Sequence, residues 1–157
     1  MSIRPLSDAD FGWVLELSAR HERETGKLDP GKLAAMRAAS YKCDVVGDEG
    51  GYLITFDQDG AYDSPNFVWF KDRYPRFVYV DRIVIDPDAR KAGHARTLYE
   101  HLFESARVDG HKVVGCEVNS DPPNPASDAF HGRMGFKVVG QALLGNGKTV
   151  RYMTRDL

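Results

Sequence analysis

The chain has 157 residues, 42% of them hydrophobic and 28% charged, with a formal net charge of −2. That length suits one domain burying about 70% of the surface its unfolded chain exposes, and the composition is that of a soluble globular protein. A near-neutral charge excludes a chain-wide basic field for nucleic acid or anionic membrane, and no apolar run approaches membrane-spanning length.

Cys43 and Cys116 lie far apart with no CxxC partner, so neither a disulfide framework nor zinc spacing is present and no metal is expected. Residues 1–8 lack a basic segment followed by an apolar one, which argues against a secretion signal and for a cytoplasmic protein.

In chain order, residues 3–6 read as a short strand. Ser7 and Asp8 offer caps for a helix running to about His21, with Phe11, Val14 and Leu15 at helical spacing. Gly26 and Pro30 punctuate before a second helix over residues 32–39. Strands at 43–46 and 52–56 flank a glycine-rich turn and predict an antiparallel hairpin. Residues 58–75 read as a long loop rich in aromatics. A β-branched and aromatic strand follows over 77–86. Residues 93–109 give the clearest helix, with Ala95, Leu98, Tyr99, Leu102, Phe103 and Ala106 on one stripe. The strand at 113–118 returns after that helix, so the crossover is parallel and right-handed. Asn124 caps a helix that has Pro125 at its first position and ends at Gly135. Strands at 136–141 and 149–154 close the chain. The expected fold is a single mixed α/β domain over residues 1–157.

The segment Arg90-Lys91-Ala92-Gly93-His94-Ala95-Arg96 lies between a strand end and a helix start. Small residues there leave backbone N–H groups free to close on an anion, and the helix terminus and basic side chains add positive charge. The alternative is an ordinary basic loop. No Gly-Lys-Ser/Thr follows, which excludes a Walker loop, and no G-x-G-x-x-G is present.

Residues 80–95, ending in this segment, resemble the signature of the GNAT superfamily of acetyltransferases, Arg/Gln-x-x-Gly-x-Gly/Ala. Downstream, Asn124, Ser127, His131, Gly135 and Phe136 are similar to the family's Asn-x-x-Ala/Ser-x-x-x-Tyr-x-x-x-Gly-Phe segment. The resemblance implies a GNAT-like sheet of six or seven strands flanked by about four helices, and acetyl-CoA as co-substrate. It implies that the pantetheine arm lies between splayed strands, along Ile83, Val84 and Ile85 on one and Val118 and Asn119 on the other. The pyrophosphate would take N–H groups from Lys91 to Arg96, with Arg90 alongside. Asn124, Ser127 and Phe130 would face the cofactor; for Asn124 and Ser127 the alternative is a role in the helix start alone. A homodimer is also implied.

Acetyl transfer to an amine needs the amine's proton removed and the thiolate stabilised. Asp81, a carboxylate in an apolar strand, is the expected base, on the same face as Ile83 and Ile85 by alternation; a structural ion pair is the alternative. Glu117 on the adjacent strand is its rival. His131 stands where the family pattern has a tyrosine acid and is expected to protonate the thiolate. Cys116 reads as a small buried hydrophobe. In the aromatic loop, Phe67, Trp69, Phe70 and Tyr74 are expected to form the acceptor site, with a self-packed surface loop or a dimer contact as the alternative, while Asp57, Asp59 and Asp63 favour a cationic acceptor. The expected activity is transfer of acetyl from acetyl-CoA to a small-molecule or peptide primary amine, by direct attack in a ternary complex. A non-catalytic CoA-binding module is the alternative.

Overall fold

A computed structural model describes residues 2–157, with every side chain except those of Arg23, Glu24, Arg90, Lys91 and Ala92. The strands are β1 (Ile3–Pro5), β2 (Cys43–Val46), β3 (Gly51–Asp57), β4 (Val78–Ile85), β5 (Val113–Asp121), β6 (Lys137–Leu143) and β7 (Thr149–Asp156). They form one sheet in the order β1-β2-β3-β4-β5-β7-β6. The β4–β5 pair is parallel and every other pair antiparallel, as the long crossover between those two strands requires.

Helices cover both faces: α1 (Phe11–Arg20), α2 (Glu22–Thr25), α3 (Pro30–Ala39), α4 (Pro65–Lys71), α5 (His94–Val108) and α6 (Pro125–Arg133). On one face Val14 and Leu17 of α1, Leu33 of α3 and Phe67 of α4 pack with Tyr52, Phe56 and Tyr79 of the sheet. On the other, Leu98, Tyr99, Leu102, Phe103 and Ala106 of α5 pack on Val78, Val80, Val114 and Cys116. Each sheet face thus buries its apolar side chains against a helical layer. The stripe expected on α5 is buried from Leu98 to Ala106. No helix of the described residues is long and apolar enough to cross a membrane.

The segment expected as a loop over 58–75 contains α4, with Pro65 at its start, a position where a missing N–H costs the helix nothing. Phe67 and Phe70, three residues apart, share its inner face and have no exposed surface. The Phe70 ring lies on the bare backbone of Gly115, where a Cβ would stand 2.4 Å from it. Trp69 stacks on Tyr152 with ring centroids 4.1 Å apart and carries the Arg73 guanidinium 4.1 Å over its ring. Tyr74 is half-buried against the same core. Phe67 and Phe70 therefore pack the interior and present nothing to an acceptor, contrary to expectation.

Strand β4 departs from alternation at one residue. Against β3, Val80 pairs with Thr55 and Arg82 with Ile54, which leaves Asp81 as the extra residue of a bulge. A bulge turns two successive side chains toward one side and reverses the parity beyond it. Tyr79 accordingly packs with the α1–α3–α4 layer, while Ile83 and Ile85 pack with the α5 layer. Asp81 turns to the Tyr79 side, where Tyr62 meets it, and so does not share the face of Ile83 and Ile85 as alternation predicts.

Candidate active site

Strands β4 and β5 pair only at Val78 with Val114 and Tyr79 with Gly115, and then part. The gap is lined on the α5–α6 side by Tyr99, Asn124, Ser127 and His131, and on the α2–α4 side by Thr25, Asp81, Arg82 and Glu117. Those last four also line an adjoining cavity of about 360 Å³ that reaches Lys32, Tyr62, Asp63 and Asn66. The gap is a passage through the sheet with two chemically different mouths.

At the α2–α4 mouth stand two carboxylates. Asp81, its side chain 9% exposed, accepts a hydrogen bond from the Tyr62 hydroxyl at 2.7 Å and lies 3.4 Å from Arg82 Nε. Burial raises its pKa, and the Tyr62 hydrogen bond and the Arg82 charge oppose the rise. Glu117 accepts from the Tyr79 hydroxyl at 2.7 Å. Burial first, and the charge of Asp81 second, push its pKa up to about 8; hydrogen bonds from Tyr79 and Asn66 hold it back. Asn66 is itself fixed by Tyr152, whose hydroxyl donates to its Oδ1 at 2.8 Å. The helix α4 thus grips Tyr152 by stacking and by hydrogen bond, and through Asn66 reaches Glu117.

At the opposite mouth His131, 5% exposed, bonds at both ring nitrogens. Its Nδ1 lies 2.7 Å from the Ser127 carbonyl oxygen, which only accepts, so Nδ1 carries the proton. Nε2 therefore accepts from the Tyr99 hydroxyl at 2.7 Å. Burial lowers the His131 pKa, which keeps this neutral tautomer in place. The expected acid thus holds no proton on Nε2, and the mobile proton of the pair belongs to Tyr99, whose own pKa burial drives well above 10.

The turn before α5 has Gly93 at φ 74°, a left-handed conformation, with open space where its Cβ would be. From there the first N–H groups of α5 lack helical acceptors. The parted edges of β4 and β5 and this helix start both fit a CoA co-substrate.

The profile of the acetyltransferase (GNAT) family matches residues 37–136. The chain belongs to the GNAT acetyltransferase family. Ard1 from Thermoplasma volcanium superposes with a TM-score of 0.80 at 14% identity, covering 99% of this chain and 97% of that one. Chaetomium thermophilum Naa20, solved with a bisubstrate analogue, gives 0.77 at 18% identity, covering 100% and 87%. Salmonella typhimurium yncA, a putative acetyltransferase with its cofactor acetyl-CoA, gives 0.70 at 22% identity, covering 100% and 94%. These likenesses show the GNAT fold. No curated protein matches the chain by sequence.

Of the residues expected to contact the cofactor, the GNAT fold brings Ile83, Val118, Asn119, Asn124 and Ser127 to the gap. Asn124 also caps α6, accepting from the Ser127 N–H at 3.3 Å, so it serves the helix start while lining the gap. Phe130 packs half-buried between Tyr99 and His131, and Val84 points into the core with Tyr52 and Tyr79. Ile85 sits on the α5 face. Ala95 and Arg96 lie in the first turn of α5, where Arg96 pairs with Glu100 at 2.9 Å. His94 is buried against the β2–β3 turn, so close that a Cβ on Gly50 would stand 2.9 Å from its Nε2. The side chains of Arg90, Lys91 and Ala92 lie outside the described residues. Of the three aspartates read as favouring a cation, only Asp63 lines the cavity; Asp57 faces His111 at 4.0 Å and Asp59 is exposed. Among the described residues no group of three or more His, Cys, Asp or Glu is placed to hold a metal.

Sequence reasoning missed Thr25, Lys32, Asn66 and the pairing of Tyr99 with His131. Tyr99 was readable only as one more member of an apolar stripe, and Asn66 as a loop residue.

Proposed function

We propose that the protein transfers an acetyl group from acetyl-CoA to a primary amine by direct attack in a ternary complex. The observation that carries this reading is the passage through the sheet, with hydrogen-bonding groups for a thioester at one mouth and a poised carboxylate at the other. The unpaired edges of β4 and β5 would hold the pantetheine arm by backbone hydrogen bonds, and the α5 N-terminus would hold the pyrophosphate.

The amine enters from the α2–α4 side. Glu117, rather than Asp81, takes its proton: a base whose pKa is near 8 is matched to an amine at neutral pH, and Asp81 is held by Tyr62 and Arg82. Asp81 acts as the neighbouring charge that raises the proton affinity of Glu117. The nitrogen–carbon bond forms as the carbon–sulfur bond breaks. Tyr99 exchanges its hydrogen bond to His131 Nε2 for one to the departing sulfur, which leaves as thiolate and is protonated on meeting water. The proton on Glu117 returns to solvent.

Free-CoA release from acetyl-CoA, measured over a panel of amines, amino acids and peptides, tests the proposal. Release with at least one acceptor, and mass-spectrometric detection of the acetylated amine, is expected. Binding of CoA with no release for any acceptor would instead mark a CoA-binding module.

A further inference from the structure

The cavity on the α2–α4 side carries charge of both signs. Arg82 is 3% exposed, donates from one guanidinium nitrogen to the Gly26 carbonyl at 3.1 Å, and leaves its buried Nε without a hydrogen bond while lining both the gap and the cavity. Lys32, exposed in the first turn of α3, lines the same cavity and acts electrostatically on Asp81. Among the described residues, the ionisable side chains around the cavity are Lys32 and Arg82 on one hand and Asp63, Asp81 and Glu117 on the other. Among the described residues the only aromatic side chain on this wall is Tyr62, so they offer no extended apolar surface to a hydrophobic acceptor.

A polycationic acceptor would bring a second ammonium against Lys32 and Arg82, whose nearest satisfied state is with an anion. Arg82 Nε faces Asp81 at 3.4 Å, and the outer guanidinium nitrogens can take a further carboxylate in a charge-assisted bond. The cavity volume of about 360 Å³ suits a molecule of amino-acid size. Resting on the acetyltransferase reading above, we infer that the acceptor is an amine bearing a carboxylate a few atoms away. Its ammonium faces Glu117 and Asp81, and its carboxylate faces Lys32 and Arg82. That chemistry occurs in a free amino acid and at the acidic N-terminal residue of a peptide.

The test pairs each free amino acid, and each short peptide beginning with Asp or Glu, with its decarboxylated or amidated counterpart. Two readouts are taken: free-CoA release, and calorimetric titration of the acceptor into the protein–CoA complex. The acidic member of a pair is expected to bind and react at least tenfold better than its counterpart. Lys32→Gln is expected to weaken the acidic member about tenfold more than the counterpart, with Lys32→Arg restoring the preference. Preference among free amino acids assigns the small acceptor, and preference confined to peptides assigns the N-terminal one. Equal or better use of the decarboxylated partners, or a Lys32→Gln effect equal on both members, overturns the inference while acetyl transfer stands. Selective binding of the acidic member without CoA release sustains the inference and overturns the transfer. Failure of every acidic acceptor to bind overturns it outright.

Discussion

The α5–α6 mouth of the passage and the α2–α4 mouth are assembled in different ways. The first draws on two short stretches, one running from β4 through the Gly93 turn into α5 and one from the end of β5 through α6. Its requirements are backbone requirements: unpaired strand edges, a helix N-terminus, a glycine at positive φ. The second collects Thr25, Lys32, Tyr62, Asn66, Asp81 and Glu117 from six separate elements and loops. Its requirements are side-chain requirements, met by whichever residues the packing happens to bring together. Backbone sites leave a local spacing in sequence; side-chain sites of this kind leave none. The donor half of a transferase can therefore be recognised where the acceptor half cannot.

Substitutions on the two sides should separate rate from cofactor affinity. Glu117→Gln is expected to lower kcat about 10²–10⁴-fold with CoA affinity retained, by steady-state kinetics and calorimetry. The wild-type kcat/KM should rise with pH through about 8, an apparent value belonging to the Asp81–Glu117 pair, and the variant should lose that rise. The same group affects stability in the opposite direction. Its folded pKa lies above the usual 4.5, so the folded chain holds a proton that the unfolded chain releases. Stability then falls as pH rises from about 4.5 to about 8, and the Tm of Glu117→Gln should gain on wild type across that window. A constant Tm difference would count against the shifted pKa.

Asp81→Asn should lower kcat less and move the pH limb downward, because the charge that raises the proton affinity of Glu117 is gone. A loss as large as that of Glu117→Gln, with the limb abolished, would return the base role to Asp81. On the other mouth, Tyr99→Phe keeps the packed ring and removes one hydrogen bond, for a kcat loss of about 5-fold. No loss there would remove the Tyr99–His131 pair from the reaction. Smallest in rate is Gly93→Val. It should leave kcat at saturating CoA unchanged and weaken CoA roughly tenfold, since a β-branched residue resists φ 74° at the pyrophosphate turn. An equal effect on kcat would blur the division between the mouths.

Much of the fold was legible because its periodicities are strong. The α5 stripe, the β2–β3 hairpin, the parallel β4–β5 crossover and the Asn124–Pro125 helix start all follow from local chemistry. Helix α4 was not legible: seven residues, several aromatic, with a proline that reads as punctuation until it is seen at a helix's first position. Its aromatics looked like a binding surface because apolar residues in a loop usually need an outside partner, whereas here the sheet supplies one. Asp81 was found but misplaced, since alternation is blind to a bulge. The His131 tautomer depends on a carbonyl one helical turn away and on Tyr99 from another element, contacts that no spacing encodes.

The bulge also makes removing a residue a different operation from replacing it. Deleting Asp81 would not merely subtract a carboxylate; it would remove the bulge and restore strict alternation against β3. The β3 partners of Arg82, Ile83 and Val84 would stay as they are, so Ile83 and Ile85 would keep to the α5 layer and Val84 to the company of Tyr52 and Tyr79. One extra residue lets two successive side chains, Asp81 and Arg82, reach the same cavity at the point where the chemistry is placed. A chain shortened there should fold with both cores intact, whereas the same chain with a small side chain at 81 should keep the bulge and lose only the carboxylate.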